Sequence, residues 1–434
     1  MVAPVITLDG KTKGLPPGTA GLALDQIGRQ GWNVLAQDMP LPLAVLRRSA
    51  IEHNSAWMRR LLARNEALIA PHGKTTMAPK LFRRQLDDGA WAITVATAFQ
   101  IRVCRDHGID RVILANQLVG PRDIAWVLSE LARDPGFDFY CLVDSPEGVA
   151  RLAEAARAAA IGRPLQLLLE IGYPGGRTGC RTRAGALALA RAVKAAAPHL
   201  ALCGVEGFEG LIQGATPDEA AAGVRGFLDE MVAVALAAAG EDLFAPGPII
   251  LTAGGSAFYD LVLARFGQAG LRRETRVVIR SGCYLTHDSL SYRQHFANLR
   301  SRTPGVDELG PGPQAALEVW AHVQSRPDAD KAILTMGRRD VGTDVGNPVA
   351  LKWFRPGLHN APVEMPLGQE GGGHVLTGLN DQHSHMALPP GSPLAFGDLV
   401  AFGVSHPCTT FDKWCVLYLV DDAYDVVDAV ETYF

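Results

Sequence analysis

Lys74 stands in the stretch IAPHGKTTMAP over residues 69–79, directly after the apolar run 67–70 (ALIA) and before a helical pattern. An amine projecting from the end of a buried strand is partly desolvated, sheds proton affinity and can attack a carbonyl as a Schiff-base nucleophile. Two glycine loops offer complementary chemistry, at 252–256 (TAGGS) and 281–284 (SGCY). Adjacent glycines let backbone N–H groups approach an anion closely, and Ser256 is placed where a helix is expected to start. In 170–181 (EIGYPGGRTGCR), Arg177 lies among glycines, where a guanidinium meets an anionic oxygen at close range.

Near the C-terminus, 404–414 (VSHPCTTFDKW) sets His406 two residues before Cys408. In an extended segment that spacing puts both side chains on one face, and imidazole with thiolate is a zinc-favouring pair that leaves positions open for water or substrate. His383 and His385 have the same spacing, with Asp381 nearby. The residues alone do not rank these two pairs.

The elements that must position these groups follow from hydrophobic patterning. Apolar strand-like runs at 67–71, 92–96, 111–115, 138–143, 165–171, 202–207, 248–252 and 275–280 alternate with helical stretches at 81–88, 98–107, 121–133, 146–160, 183–197, 216–238 and 256–266. Near-continuous apolar strands alternating with helices predict a parallel sheet covered by helices, and eight of them predict a closed (β/α)8 TIM barrel. An open doubly wound sheet shares the local pattern, but no GxGxxG follows the first strand. In a barrel the site lies at the C-terminal strand ends, with phosphate often held after strands seven and eight, which are the two glycine loops.

After about residue 295 the texture changes to short β-rich segments at 315–323, 330–337, 349–354, 373–377, 398–404 and 414–420, separated by Gly, Pro and Asp turns. They predict a C-terminal antiparallel β domain. The expected division is a segment 1–48 packing with the β domain, a barrel 49–295, and the β domain 296–434.

A chain of 434 residues with 48% hydrophobic and 20% charged residues reads as a soluble globular protein with a large core. A net charge of −4 gives no electrostatic case for nucleic acid or an anionic membrane. Seven scattered cysteines without a CxxC pair argue for a reducing compartment, and the absence of a leader pattern or an apolar run of bilayer length reads as cytoplasmic.

Taken in order, these pieces resemble the D-serine dehydratase and D-threonine aldolase family, whose barrel is shared with the alanine racemases (pyridoxal-phosphate fold type III). The likeness rests on 71–75 (PHGKT), 95–97 (VAT), 114–120 (LANQLVG), 175–179 (GGRTG), 204–210 (GVEGFEG), the AGGS loop, 280–284 (RSGCY) and the terminal His-x-Cys. It implies that Lys74 holds pyridoxal 5'-phosphate as an imine, that Arg177 contacts the cofactor's phenolic oxygen, and that Gly254, Gly255, Ser256, Gly282 and Tyr284 surround its phosphate. It implies a metal on His406 and Cys408, zinc by thiolate softness with manganese as the alternative, and ranks that pair above His383 and His385. The implied activity is a lyase that eliminates the β-hydroxyl of D-serine or a related β-hydroxy-D-amino acid, in a homodimer.

Two other activities use overlapping machinery: retro-aldol cleavage to glycine and an aldehyde, and a non-catalytic cofactor carrier that needs no metal. His-x-Cys favours the dehydratase branch, since the aldolases more often show His-x-Asp. The chain departs from the family at Thr76 and Met77, where His and Lys usually follow the lysine, and at Glu209, where many relatives have His. Its segment before residue 40 is also longer than usual.

Overall fold

The computed structural model describes residues 7–365 and 373–434. The eight apolar runs form parallel strands: Leu68–Ile69, Ile93–Val95, Arg111–Gln117, Asp138–Val143, Leu165–Ile171, Leu200–Gly207, Ile249–Ala253 and Thr275–Ile279. Each pairs with its neighbours in chain order, and the last pairs with the first through Val278 and Leu68. The remaining seam, between strands one and two, closes through Trp91 N–H to the Ile69 carbonyl (2.8 Å) and Thr94 N–H to the Pro71 carbonyl (2.9 Å). The fold is therefore a closed barrel, and the open-sheet alternative falls away.

Helices follow every strand, and their starts obey local chemistry. Thr97, Ser145, Thr182 and Thr216 each accept a hydrogen bond from a first-turn N–H, and Pro79, Pro121, Pro146 and Pro217 occupy the first helical turn. The helix after the seventh strand begins at Tyr259 rather than at 256, because the preceding residues fold into the glycine turn, with Gly254 at φ +156°.

Period-two alternation layers the barrel interior. Ile113, Leu142, Leu168, Ile250 and Val278 form an apolar plug. Two residues further along the last strands, Glu170, Glu206 and Thr252 face one another in register, with Arg280 just beyond the eighth. The barrel is thus apolar at its centre and charged at its mouth.

The C-terminal sheet is antiparallel around the long strand Leu317–Asp328, which pairs with Leu399–Gly403 and Lys331–Leu334. The strand Leu43–Arg47 also joins it, pairing antiparallel with Leu317–Asp328 and parallel with Val416–Val420. The chain thus passes through the second sheet at Leu43–Arg47, builds the barrel and returns. No helix among the described residues is long and apolar enough to cross a membrane.

Candidate active site

Lys74 sits in a tight turn, Gly73–Thr75, at the C-terminal end of the first strand, with its side chain exposed at the barrel mouth. Buried Met77 closes the turn at φ +40°, a left-handed conformation costly for a residue with a side chain, and its N–H bonds the Gly73 carbonyl (2.8 Å). His72, just before the lysine, is held well below the usual histidine range, first by burial and then by the charges of Lys74, Arg280 and Arg177. It is a neutral imidazole among three cations, and its Nδ1 has no hydrogen-bond partner.

Three buried carboxylates balance those cations. Glu170 accepts hydrogen bonds from Gln117 and Thr178. Glu206 is paired with the buried Arg280, which also donates to Thr252 Oγ1 (2.8 Å) and the Gly207 carbonyl (3.2 Å). Burial pushes Glu206 up to about 7 against the pull of Arg280, and its Oε2 is unpartnered. Glu209, fully buried, accepts from Gly255 N–H (2.7 Å) and Gly254 N–H (3.1 Å).

That last pair changes the reading of the phosphate loop. The two glycine N–H groups expected to face an anion are turned toward an internal carboxylate, since Glu209 comes from the neighbouring strand end and reaches the turn first. Glycine is nonetheless required: a Cβ on Gly254 would run into the Arg280 backbone nitrogen, and one on Gly282 into the His72 carbonyl. Ser256 lies at the rim with Tyr284, both lining a cavity of about 20 Å³ with Cys283 and Tyr292. Tyr284 is buried beside Gln85, so its ring serves as a wall here. Arg177 is exposed at the mouth, 5.3 Å over the Phe208 ring, within electrostatic reach of His72, Glu170 and Glu206.

Lys74, Arg177, Arg280 and the two glycine loops therefore surround one mouth, beneath which His72 and Glu206 each hold a buried, unpartnered polar atom. A phosphorylated, polar aromatic cofactor fits this donor set: cations for its oxygens, glycines where side chains would intrude, and an amine to bind it. A cavity of about 1150 Å³ lies instead on the barrel's outer surface, between the helices Pro121–Arg133 and Pro146–Ala159. Its lining is mostly Ala, Leu and Ile and carries none of this chemistry.

The His-x-Cys pair meets the same mouth from the second sheet. The segment is not extended as expected, because Pro407 is helical and Cys408 opens a short helix, Cys408–Phe411. His406 and Cys408 nonetheless interact, and this bond is the main cause that raises His406 to about 9. Asp344 Oδ2 stands 2.7 Å from His406 Nδ1, so Nε2 is the ring nitrogen that would serve as a ligand, the usual arrangement behind a metal-binding imidazole. Cys408 Sγ lies 3.7 Å from Cys283 Sγ and 3.4 Å from Thr75 Oγ1. Cys408 is held well below the thiol range, first by Cys283, and Cys283 is correspondingly pushed up. Among the described residues no three His, Cys, Asp or Glu side chains already stand as a metal-holding group. The available donor set is this imidazole and thiol with a thiol neighbour.

The rival histidines lie elsewhere. His385, on the strand Ser384–Ala387, bonds Asn380 Oδ1 (2.8 Å), while His383 and Asp381 are exposed and Asp381 faces Arg339 at 3.6 Å. Sequence reasoning missed Glu206 and Arg280. A signal was available for Arg280, a charged residue two positions beyond the apolar interior Val278, whereas Glu206 follows Gly204 and carried no such signal.

Two domain families match the chain. Residues 46–242 match the alanine racemase N-terminal domain, and residues 316–420 match the "Putative serine dehydratase domain". Among solved structures, a D-threonine aldolase from Filomicrobium marinum is 23% identical, with a TM-score of 0.72 over 91% of this chain and 95% of that one. A D-threo-3-hydroxyaspartate dehydratase from Delftia sp. HT23 is 21% identical, with a TM-score of 0.69 over 92% and 99%. A cysteine-to-alanine mutant of a D-threo-3-hydroxyaspartate dehydratase, in its metal-free form, is 19% identical, with a TM-score of 0.69 over 93% and 99%. No curated protein matches the chain.

The chain thus joins an alanine racemase-type barrel to a serine dehydratase-type β domain. With both domains matched, the resemblance to the D-serine dehydratase and D-threonine aldolase family is borne out.

Proposed function

We propose that this chain is a pyridoxal-phosphate- and metal-dependent lyase that eliminates the β-hydroxyl of a β-hydroxy-D-amino acid, D-serine or a relative, giving a 2-oxo acid and ammonia. The observation that carries this reading is a meeting of distant residues: Thr75, next to Lys74, lies 3.4 Å from Cys408, 333 positions away. A cofactor lysine and a metal-type donor pair therefore serve one mouth, where substrate can reach both.

Pyridoxal phosphate held by Lys74 would supply the electron sink for charge developing at the α-carbon. A metal on His406 and Cys408 would supply a Lewis acid for the leaving hydroxyl, and the metal-free cysteine mutant of the hydroxyaspartate dehydratase supports a cysteine in that role. Lys74 Nζ, at the mouth, would be the base that takes the α-proton. Arg177 holds an anionic oxygen at the rim, and Arg280, fixed by Glu206 and Thr252, keeps a permanent charge at the floor. Neutral His72 adds a hydrogen-bonding ring without a further charge.

The reaction is tested by loading the protein with pyridoxal phosphate, supplying D-serine and D-threonine, and assaying 2-oxo acid against glycine. The expected product is 2-oxo acid, with Lys74→Ala losing it. Glycine and an aldehyde as sole products would sink the dehydratase reading in favour of retro-aldol cleavage, and cofactor absorbance without metal or turnover would favour a carrier.

A further inference from the structure

His406 and Cys408 account for two donors, yet the thiol nearest to them comes from the other sheet. Cys283 lies in the loop after the eighth barrel strand, buried, with its sulfur 3.7 Å from Cys408 Sγ. Thr75 Oγ1 stands 3.5 Å from Cys283 and 3.4 Å from Cys408, so one hydroxyl faces both sulfurs. Two thiolates on one tetrahedral zinc, each about 2.3 Å from it, stand about 3.8 Å apart. The two sulfurs are already at that separation.

We propose that Cys283 is a third protein donor to the metal that His406 and Cys408 would hold, completing a Cys2His set. This rests on the metal-assisted reading above and refines it. Cys408 is the hinge of the trio, touching His406 on one side and Cys283 on the other. Because the three are not yet arranged around one point, the set closes by rotation of a side chain between staggered rotamers, with the imidazole already oriented by Asp344.

The chemistry has a consequence for substrate. Three protein donors on a four-coordinate metal leave one open position, the arrangement of catalytic rather than structural sites. A substrate would then reach the metal through one oxygen, the β-hydroxyl, leaving its carboxylate to the arginines. Two protein donors would instead admit two substrate oxygens.

The test counts sulfurs on the full-length protein, freed of metal under a thiol-free reductant and reloaded with Zn2+ or Co2+ alone. Zinc-edge X-ray absorption on the unmodified chain is expected to find about two sulfurs per metal. Cys283→Ser and Cys408→Ser should each remove one of them and lower the thiolate-to-cobalt absorption by about half. Cys415→Ser, at the exposed cysteine, should change neither.

One sulfur in the unmodified protein, with Cys283→Ser unchanged, removes Cys283 while leaving His406 and Cys408 standing. An unmodified protein that takes up no metal overturns the metal reading and this proposal together. The count on the unmodified chain decides the matter even if a serine variant fails to fold.

Discussion

Glu209 is the residue that organises the mouth, since its carboxylate accepts both glycine N–H groups of the Gly254–Gly255 turn from a fully buried position. A buried N–H deprived of its acceptor costs about 1–3 kcal/mol. Glu209→Ala strands one buried and one part-buried N–H and is expected to lower the free energy of unfolding by about 2–5 kcal/mol, read from urea titration of the cofactor-free protein. Glu209→Gln keeps one acceptor and should lose less; equal losses would show that the turn does not depend on these bonds. Lys74, Arg177, His406 and Cys408 stand out in the sequence because each lies in a short segment of unusual neighbours, and the structure brings those segments to one mouth. The partner of Gly254 and Gly255 does not, because nothing local tells a backbone N–H which carboxylate will arrive. The closeness of Cys283 to Cys408 was hidden for the same reason, inside a motif that reads as a phosphate loop.

Among the elements, the barrel strands were the most legible part of the fold. Runs at 138–143 and 165–171 coincide with the strands Asp138–Val143 and Leu165–Ile171, because both faces of such strands are buried. Less legible was Leu43–Arg47, whose apolar run leads straight into the first barrel helix yet pairs in the second sheet. The charged layer above the apolar plug is a property of strands five to eight together, and its clearest signature is pH. Burial raises Glu206 from 4.5 to about 7, so the folded form holds this proton more tightly than the unfolded chain does. Its contribution to stability is therefore fully present below the unfolded value and is lost as pH rises through about 7. Glu206→Gln has no such proton to lose. Its thermal midpoint should gain on that of the unmodified protein between about pH 5 and about pH 8. Arg280 loses its partner at every pH, so the slope and not the absolute midpoint carries the test, and parallel curves would refute it.

At the scale of the molecule, the two sheets are tied by the path of the chain. Leu43–Arg47 lies between Leu317–Asp328 and Val416–Val420, and the first barrel helix, Arg48–Arg64, begins at the next residue. At the other end, Tyr433 N–H bonds the carbonyl of Met77 (2.9 Å), so the last residues brace the turn that carries Lys74. A barrel that unfolded alone would pull a strand from the centre of the second sheet and free that brace. The molecule is therefore expected to melt in one transition, seen alike by far-ultraviolet circular dichroism and by tryptophan fluorescence, with Trp57 in the barrel and Trp320 in the second sheet as buried reporters. A ligand that binds only the folded form adds about 2.7 kcal/mol at a hundred times its dissociation constant. Pyridoxal phosphate, bound on the barrel side, should then raise the midpoint of both signals together, and zinc, bound on the side of His406, should do the same. Two transitions, each answering to only one ligand, would mean that the sheets fold independently and that the mouth between them is assembled only after both have formed.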